Sequence, residues 1–468
     1  MKKVMMIAAF VALAATGAQA ISAGPGGYIY WSTGANGAST IQLWRAQIDS
    51  TWTQVGSNVN FDCVASFAAS NVYAMSYGMD VEVLDPRMLG GTGKLLVASD
   101  YNGTPGGTGS DAYDVVRVDP TSPTGTYTAA AQPAGNLYTD GRAPGGTWDT
   151  MSLRVAMAAP ANWIGQSNGI SIITEAQHTW FGGDQNLSYL HDQNGNGTVD
   201  AVNAEGTYIT TQGAQLPDNP QIRRDMEFGA DRALYTSYEH PTKANVLNIS
   251  RYWSDGTTVH RTTYYDNASD GIASQTTYGS YTIGDTLAVG PGYSNVGGKT
   301  NTNAIVYVMA YKTGTATPAI WAMQDKVNGD NVVSTVAGSG DTFVEIWEQG
   351  QAGIKMSGEG YEGWAPFVSD IEIYVDPDNQ SHRTLLFAGG RESTSAALYA
   401  LDLTDNGLMR AGNGKQVLSS FPTENYLNMQ GFELDMNGTP AIPEPATLLL
   451  VGTGALGALG WIRRRRVK

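Results

Sequence analysis

One spacing constrains this chain more than any other feature. Asp80, Asp225 and Asp370 each open a short Asp-apolar-Glu-apolar segment, and they stand 145 residues apart both times. A period kept twice over such a distance means a structural unit copied along the chain, with two copies per step. A second series fixes the copy length. Leu43, Val115, Leu187, Ile249, Ile320 and Leu398 each begin an apolar run that leads into a polar turn, at intervals of 72, 72, 62, 71 and 78 residues. Between these lie dense apolar runs beginning at Tyr28, Leu95, Ile170, Ala233, Ile305 and Thr384. The Asp-led type has further members at Met151, Asp285 and Gly431, and a less regular fourth type follows each turn, as in HRTTYY from His260 and NVVSTV from Asn331.

These units are strands rather than helices. Each apolar run is short, rich in Tyr, Val, Ile and Thr, and bounded by Gly, Asn, Asp or Pro, and no long stretch keeps a 3.6-residue period. With 57 glycines, 24 tyrosines and 11 tryptophans in 468 residues, the composition agrees with an all-β chain. Six copies of a four-stranded unit predict a single β-propeller, six blades being favoured over seven. The ends complete the pattern. The chain enters at a second-type strand, Tyr28 to Trp31, while Phe432 to Asp435 is a first-type strand with no unit after it. A propeller closes by pairing such a late strand into its first blade. A string of β-sandwiches is the alternative, and it would show linkers between modules. The predicted organisation is a signal peptide at 1–20, a propeller at 21–440 and a sorting tail at 441–468.

Both ends carry export features. Lys2 and Lys3, an apolar run, and Ala18-Gln19-Ala20 form a secretory signal peptide with cleavage after Ala20. At the other end Pro443-Glu444-Pro445 is followed by an uncharged apolar stretch at 446–462 and the cations Arg463, Arg464, Arg465 and Arg466. Seventeen helical residues reach roughly 26 Å, close to the hydrocarbon thickness of a bilayer, and the arginines hold the terminus on the cytoplasmic side. This tail resembles the PEP-CTERM sorting signal of Gram-negative bacteria. The resemblance implies Sec-dependent export, transient anchoring in the inner membrane, cleavage near Pro443 by an exosortase, and release to the cell surface or an exopolysaccharide matrix.

Without its two ends the chain holds 20 basic and 42 acidic residues, a net charge of −22. Such a surface repels nucleic acid and anionic lipid. Cys63 is the single cysteine, so no internal disulfide forms. No HExxH, GxSxG, CxxC or P-loop pattern is present.

Two groups of oxygen ligands stand out. Asp192, Asn194, Asn196, Thr198 and Asp200 place oxygens at alternate positions around Gly197, which resembles the calcium loop of EF-hands and dockerins. Asn203 occupies the place of the bidentate acid, which points to a weak structural Ca²⁺ site; an Asn-Gly hairpin turn without metal is the alternative. The second group is Asp80 with Glu82, Asp225 with Glu227 and Asp370 with Glu372, joined by Glu433. Each pair shares one strand face by its i, i+2 spacing. On innermost strands they can converge at the channel mouth to bind a cation or transfer protons, or else cap the backbone of neighbouring blades. His178, His191, His240, His260 and His382 lack ligand spacing. Trp253, Trp321 and Tyr399 are expected to pack between blades, and Trp180 and Trp364 to lie near the loop face. The resulting expectation is a non-enzymatic surface or matrix protein that binds polysaccharide or another matrix component. A polysaccharide hydrolase or lyase using the carboxylates with His240 or His178, and a purely structural matrix protein, are the alternatives.

Overall fold

The computed structural model describes residues 21, 24, 26–33, 40–55, 62–68, 80–84, 94–99, 114–118, 136–139, 155–159, 170–176, 186–192, 207–208, 222–239, 247–255, 259–266, 286–311, 317–334, 338–356, 368–389, 397–419 and 430–436. Among these residues there is no α-helix, and the strands form six four-stranded sheets and one two-stranded ribbon. Sheet one contains β1 (Gly27–Thr33), β2 (Thr40–Ile48) and β3 (Asp62–Ala68). Sheet two is β4 (Asp80–Leu84), β5 (Lys94–Ser99), β6 (Asp114–Val118) and β7 (Asn136–Thr139). Sheet three is β8 (Val155–Ala159), β9 (Ile170–Ala176), β10 (Asn186–Asp192) and β11 (Thr207–Tyr208). Sheet four is β12 (Ile222–Phe228), β13 (Leu234–Glu239), β14 (Leu247–Ser254) and β15 (Val259–Asp266).

Sheet five begins with β16 (Leu287–Gly290), then sends out the ribbon β17 (Tyr293–Val296) and β18 (Lys299–Asn301). It continues with β19 (Ile305–Tyr311), β20 (Pro318–Gln324) and β21 (Thr342–Glu348). Sheet six is β22 (Val368–Val375), β23 (Arg383–Gly389), β24 (Ala397–Leu403) and β25 (Arg410–Ser419). The last strand, β26 (Gln430–Met436), does not start a seventh sheet but joins sheet one.

That last pairing closes the arrangement. β26 lies antiparallel to β1, with Tyr28 opposite Asp435 and Trp31 opposite Phe432. The first strands of successive sheets are neighbours in cyclic order: β26 beside β4, then β8, β12, β16 and β22, which returns to β26. The fold is all-β and propeller-like. Two further contacts hold sheet six to sheet one. Trp52, fully buried, meets the Tyr374 ring edge-on at 5.6 Å, and Lys415 Nζ donates to Thr51 O and Thr53 Oγ1.

Burial explains the strand composition. β23 and β24 are buried along their whole length, because each has a neighbouring strand on both edges and a packed sheet on both faces. Such strands read as unbroken apolar runs. β25 is an outer strand and alternates with solvent along most of its length. Three apolar clusters lie between sheets. One joins sheets five and six around Trp347 and Phe387, one joins six and one around Trp31 and Leu386, and one joins four and five around Tyr265 and Val306. Trp253, Trp321 and Tyr399 pack in or against these clusters as expected.

Two expectations need correction. The fourth strand of sheet five was expected at NVVSTV from Asn331; residues 331–334 are irregular, and the strand is β21, beginning at Thr342. Asn331 adopts a left-handed φ of 61°, and its N–H donates to Asp325 Oδ2, while the Val333 N–H donates to Tyr264 O of sheet four. The segment is bound as a turn and cannot lie flat in a ladder. The ribbon β17–β18 was not expected, although Gly297 and Gly298, both at positive φ, supply the turn that such a hairpin requires. Of the segment expected at 151–155, Val155 alone lies within the described residues, and there it opens β8.

Candidate functional site

The cyclic order of first strands places the acidic segments of the sequence at the centre of the molecule. Asp80 and Glu82 lie on β4, Asp225 and Glu227 on β12, Asp370 and Glu372 on β22, and Glu433 on β26. Asp80, Asp225 and Asp370 each stand immediately before an apolar strand residue, Val81, Met226 and Ile371. In β16 the corresponding position, before Leu287, is Thr286.

Asp370 is 4 % exposed, and its Oδ1 accepts from the Thr286 hydroxyl at 3.0 Å and from the Ile371 N–H at 2.9 Å. Here the carboxylate ties the start of β22 to the start of β16, across 84 residues of sequence. A carboxylate so placed costs desolvation, which the two donors offset. Glu227 and Glu372 are half-buried. The side chains of Asp80, Glu82, Asp225 and Glu433 lie outside the described residues. Among the described residues, no group of three or more His, Cys, Asp or Glu side chains is arranged to hold a metal ion.

The Thr286–Asp370 bond gives a direct expectation. Asp370→Ala removes the acceptor that the Thr286 hydroxyl and the Ile371 N–H share, and is expected to lower stability by about 2 kcal/mol. Thr286→Val removes the donor alone and is expected to cost about 1 kcal/mol. The double variant should fall short of the sum, with a coupling of about 1 kcal/mol in chemical denaturation. Strict additivity would place the carboxylate's partners elsewhere.

The connections sort to two ends of the sheets. Second-to-third and fourth-to-first connections, including 100–113, 240–246, 312–316 and 349–367, share one end; first-to-second turns and third-to-fourth hairpins share the other. Asp192 ends β10 and so begins a third-to-fourth connection, but Asn194, Asn196, Thr198, Asp200 and Asn203 lie outside the described residues. So do His178, His240, Trp180 and Trp364. His260 stacks on Trp253 with ring centroids 4.3 Å apart and meets Asp255 Oδ2 at 2.9 Å. His382 lies 3.5 Å from Asp376 Oδ2 in the first-to-second turn of sheet six. Neither faces the acidic strand starts; His260 lies on an outer strand and His382 in the opposite end's turn.

Sequence reasoning missed two polar centres at that opposite end. In sheet four, Arg251 Nε and Nη2 donate to Asp231 Oδ2 at 3.1 and 2.8 Å, and the Tyr235 hydroxyl donates to the same oxygen at 3.0 Å. In sheet six, the Arg383 guanidinium is 1 % exposed and donates to Pro291 O, Gly292 O and Gln380 O. An isolated arginine at the start of an apolar run carries no sequence signal of such a role.

No curated protein matches the chain. Solved structures similar to it include a Synechocystis apocarotenoid oxygenase variant, at 9 % identity over 84 % of this chain and 72 % of that one, with a TM-score of 0.35. An α-L-arabinofuranosidase from Fusarium graminearum is 9 % identical over 71 % of this chain and 95 % of its own, with a TM-score of 0.32. Drosophila Semaphorin 2a is 6 % identical over 85 % and 71 %, with a TM-score of 0.33. Among the described residues no helix is long and apolar enough to cross a membrane, and the stretch at 446–462 lies outside them. Residues 441–466 match the PEP-CTERM protein-sorting motif, which marks an exported protein with a C-terminal membrane anchor and a site for exosortase processing.

Proposed function

We propose that this protein is a six-bladed β-propeller, exported by a Gram-negative bacterium to its surface or extracellular matrix, that binds polysaccharide or another matrix component without transforming it. The observation that carries this reading is the sorting motif at 441–466. The cyclic order of the six first strands and the pairing of β26 with β1 support the blade assignment. The binding face is the end that carries the long second-to-third connections, whose Gly, Asn and Thr residues offer neutral hydrogen-bonding groups to sugar hydroxyls. A chain of net charge −22 without its ends favours neutral glycans over polyanions. The Asp192 loop contributes a weak structural calcium site in this reading, with Asp192, Asn194, Asn196, Thr198, Asp200 and Asn203 as its residues.

The test pairs binding with turnover. Protein recovered from culture medium, incubated with the producing cell's exopolysaccharide, is expected to retain the polymer and leave its chain length unchanged. Shortening of the polymer would make the protein a hydrolase or lyase instead. No retention and no shortening would leave a structural matrix protein.

Processing gives a separate expectation. The intact mass of the released form should lack residues 1–20, the apolar stretch at 446–462 and Arg463 to Arg466. Released protein that still carries the arginines would show that the tail is not cut.

A further inference from the structure

The turn that leaves β2 toward β3 is built around one indole. Asp49 Oδ1 accepts from the Thr51 and Thr53 N–H groups at 2.8 and 3.0 Å and from the Thr51 hydroxyl at 2.7 Å. The Trp52 N–H donates to Asp49 O at 3.0 Å. Trp52 itself has a left-handed φ of 56°, a conformation that a bulky residue keeps only where its surroundings impose it. Its ring belongs to the apolar cluster between sheets six and one, where it is fully buried beside Tyr374. Lys415 of sheet six grips the same turn at Thr51 and Thr53.

The chain ahead of β1 completes this burial. The Gly24 N–H donates to Ser50 O at 2.8 Å, and Gly24 lies so close against the Trp52 indole that any Cβ there would collide with the ring. Gly26, at a φ of 63°, turns the chain toward β1. Ile21 is half-buried and packs against the same cluster, which holds Trp52, Tyr374 and Leu386. The segment is therefore fastened at its start by an apolar side chain and in its middle by a backbone bond and a close contact. The sheet needs none of this, because the ladder of β1 begins only at Gly27.

We propose that the segment from Ile21 to Gly26 is a strap that locks the seam between sheets six and one and thereby orders the two cuts of maturation. Once seated, it withholds the Ala20–Ile21 bond from the peptidase that removes the signal peptide. The inference rests on the signal-peptide reading of residues 1–20. In that cut, water adds across the amide, leaving a carboxylate on Ala20 and an amine on Ile21. A peptidase holds its substrate extended on both sides of the bond, so the residues just after the bond have to be free of the fold. Ile21 is the first of them and is packed; Gly24 is bonded and backed by the indole. Cutting the seated chain therefore requires local opening of the strap, and the rate falls with the population of that open state. The other end is under no such constraint, since the sorting motif at 441–466 begins beyond β26. Signal removal is thus a reaction of the chain before its seam closes, and the C-terminal cut is one that the closed ring permits.

The test varies the moment at which peptidase is added. Full chain is made by cell-free synthesis in detergent, with signal peptidase present either during synthesis or only after folding is complete. Late addition is expected to cut at least about tenfold more slowly. Gly24→Val sets a branched side chain against the indole and unseats the strap, and it lies outside the Ala18-Gln19-Ala20 pattern that the peptidase reads. Late addition should then cut the variant nearly as fast as early addition. Equal early and late rates in the parent chain would overturn the proposal whatever the variant does, and so would a folded Gly24→Val chain as resistant as its parent. A chain cut at neither time would be a failure of the signal-peptide reading. The strap's hold on the seam is then decided by melting of released chains that begin at Ile21 and at Gly27. A Tm about 3 °C lower in the shorter chain supports the strap, and equal Tm overturns it.

Discussion

A chain ending at residue 429 is expected to lose cooperative unfolding, whereas one ending at 440 should melt like the released protein. The two differ by little more than β26. Removing it strips β1 of its inner hydrogen-bonding partner and leaves β4 and β22 without the strand between them. Ile29 and Trp31, both fully buried, would then sit on an open sheet edge. Exposing two such side chains costs about 3–6 kcal/mol before any ladder bond is counted. A whole domain is stable by only about 5–15 kcal/mol. Near-ultraviolet circular dichroism and limited proteolysis report the loss, and an added peptide spanning 430–440 should recover part of it by restoring the missing strand. Equal melting of the two chains would mean that β26 is not what closes the ring.

Arg383→Ala is expected to lower stability by about 3–5 kcal/mol, read as a shift in the urea midpoint at constant slope. The guanidinium is buried and its burial draws its pKa below the ordinary value, yet it stays charged because three carbonyls face it. Two of them, Pro291 O and Gly292 O, belong to the segment that leaves β16 for the ribbon, so the arginine rivets sheet six to sheet five. Truncation leaves these acceptors dry and opens a cavity beside Tyr307 and Gly407. Arg383→Lys should recover less than half of the loss, since a single ammonium cannot reach both carbonyls as a planar fork does. A loss below 1 kcal/mol in Arg383→Ala would show that water replaces the guanidinium without difficulty.

The repeat made most of the architecture legible. Asp80, Asp225 and Asp370 hold equal spacing because each lies on the first strand of its sheet, and Phe432 was assignable to sheet one because no unit follows it. Local chemistry misled where a tertiary partner decided. Asn331-Val332-Val333 has the composition of a strand, but Asp325 and Tyr264 take the N–H groups that a ladder would use. The carboxylate pattern located Asp370 on an inner strand, and no pattern could show that Thr286, 84 residues earlier, would hold it. Arg383 was invisible as a centre for the same reason. Two of its acceptors, Pro291 O and Gly292 O, come from sheet five, brought near by the ring and not by the sequence around it.

The direction of β26 also fixes how the protein stands while anchored. Its last residue, Met436, lies beside Gly27 at the end of the sheets that bears the first-to-second turns and third-to-fourth hairpins. Nine residues, 437–445, separate it from the apolar stretch at 446–462, a tether of roughly 30 Å when extended. Before cleavage the anchor therefore leaves from that end, opposite the end with the long connections. A cut within the sorting motif falls beyond β26, the strand without which the ring cannot be completed. Severing the anchor thus frees the molecule without disturbing the strand that locks it.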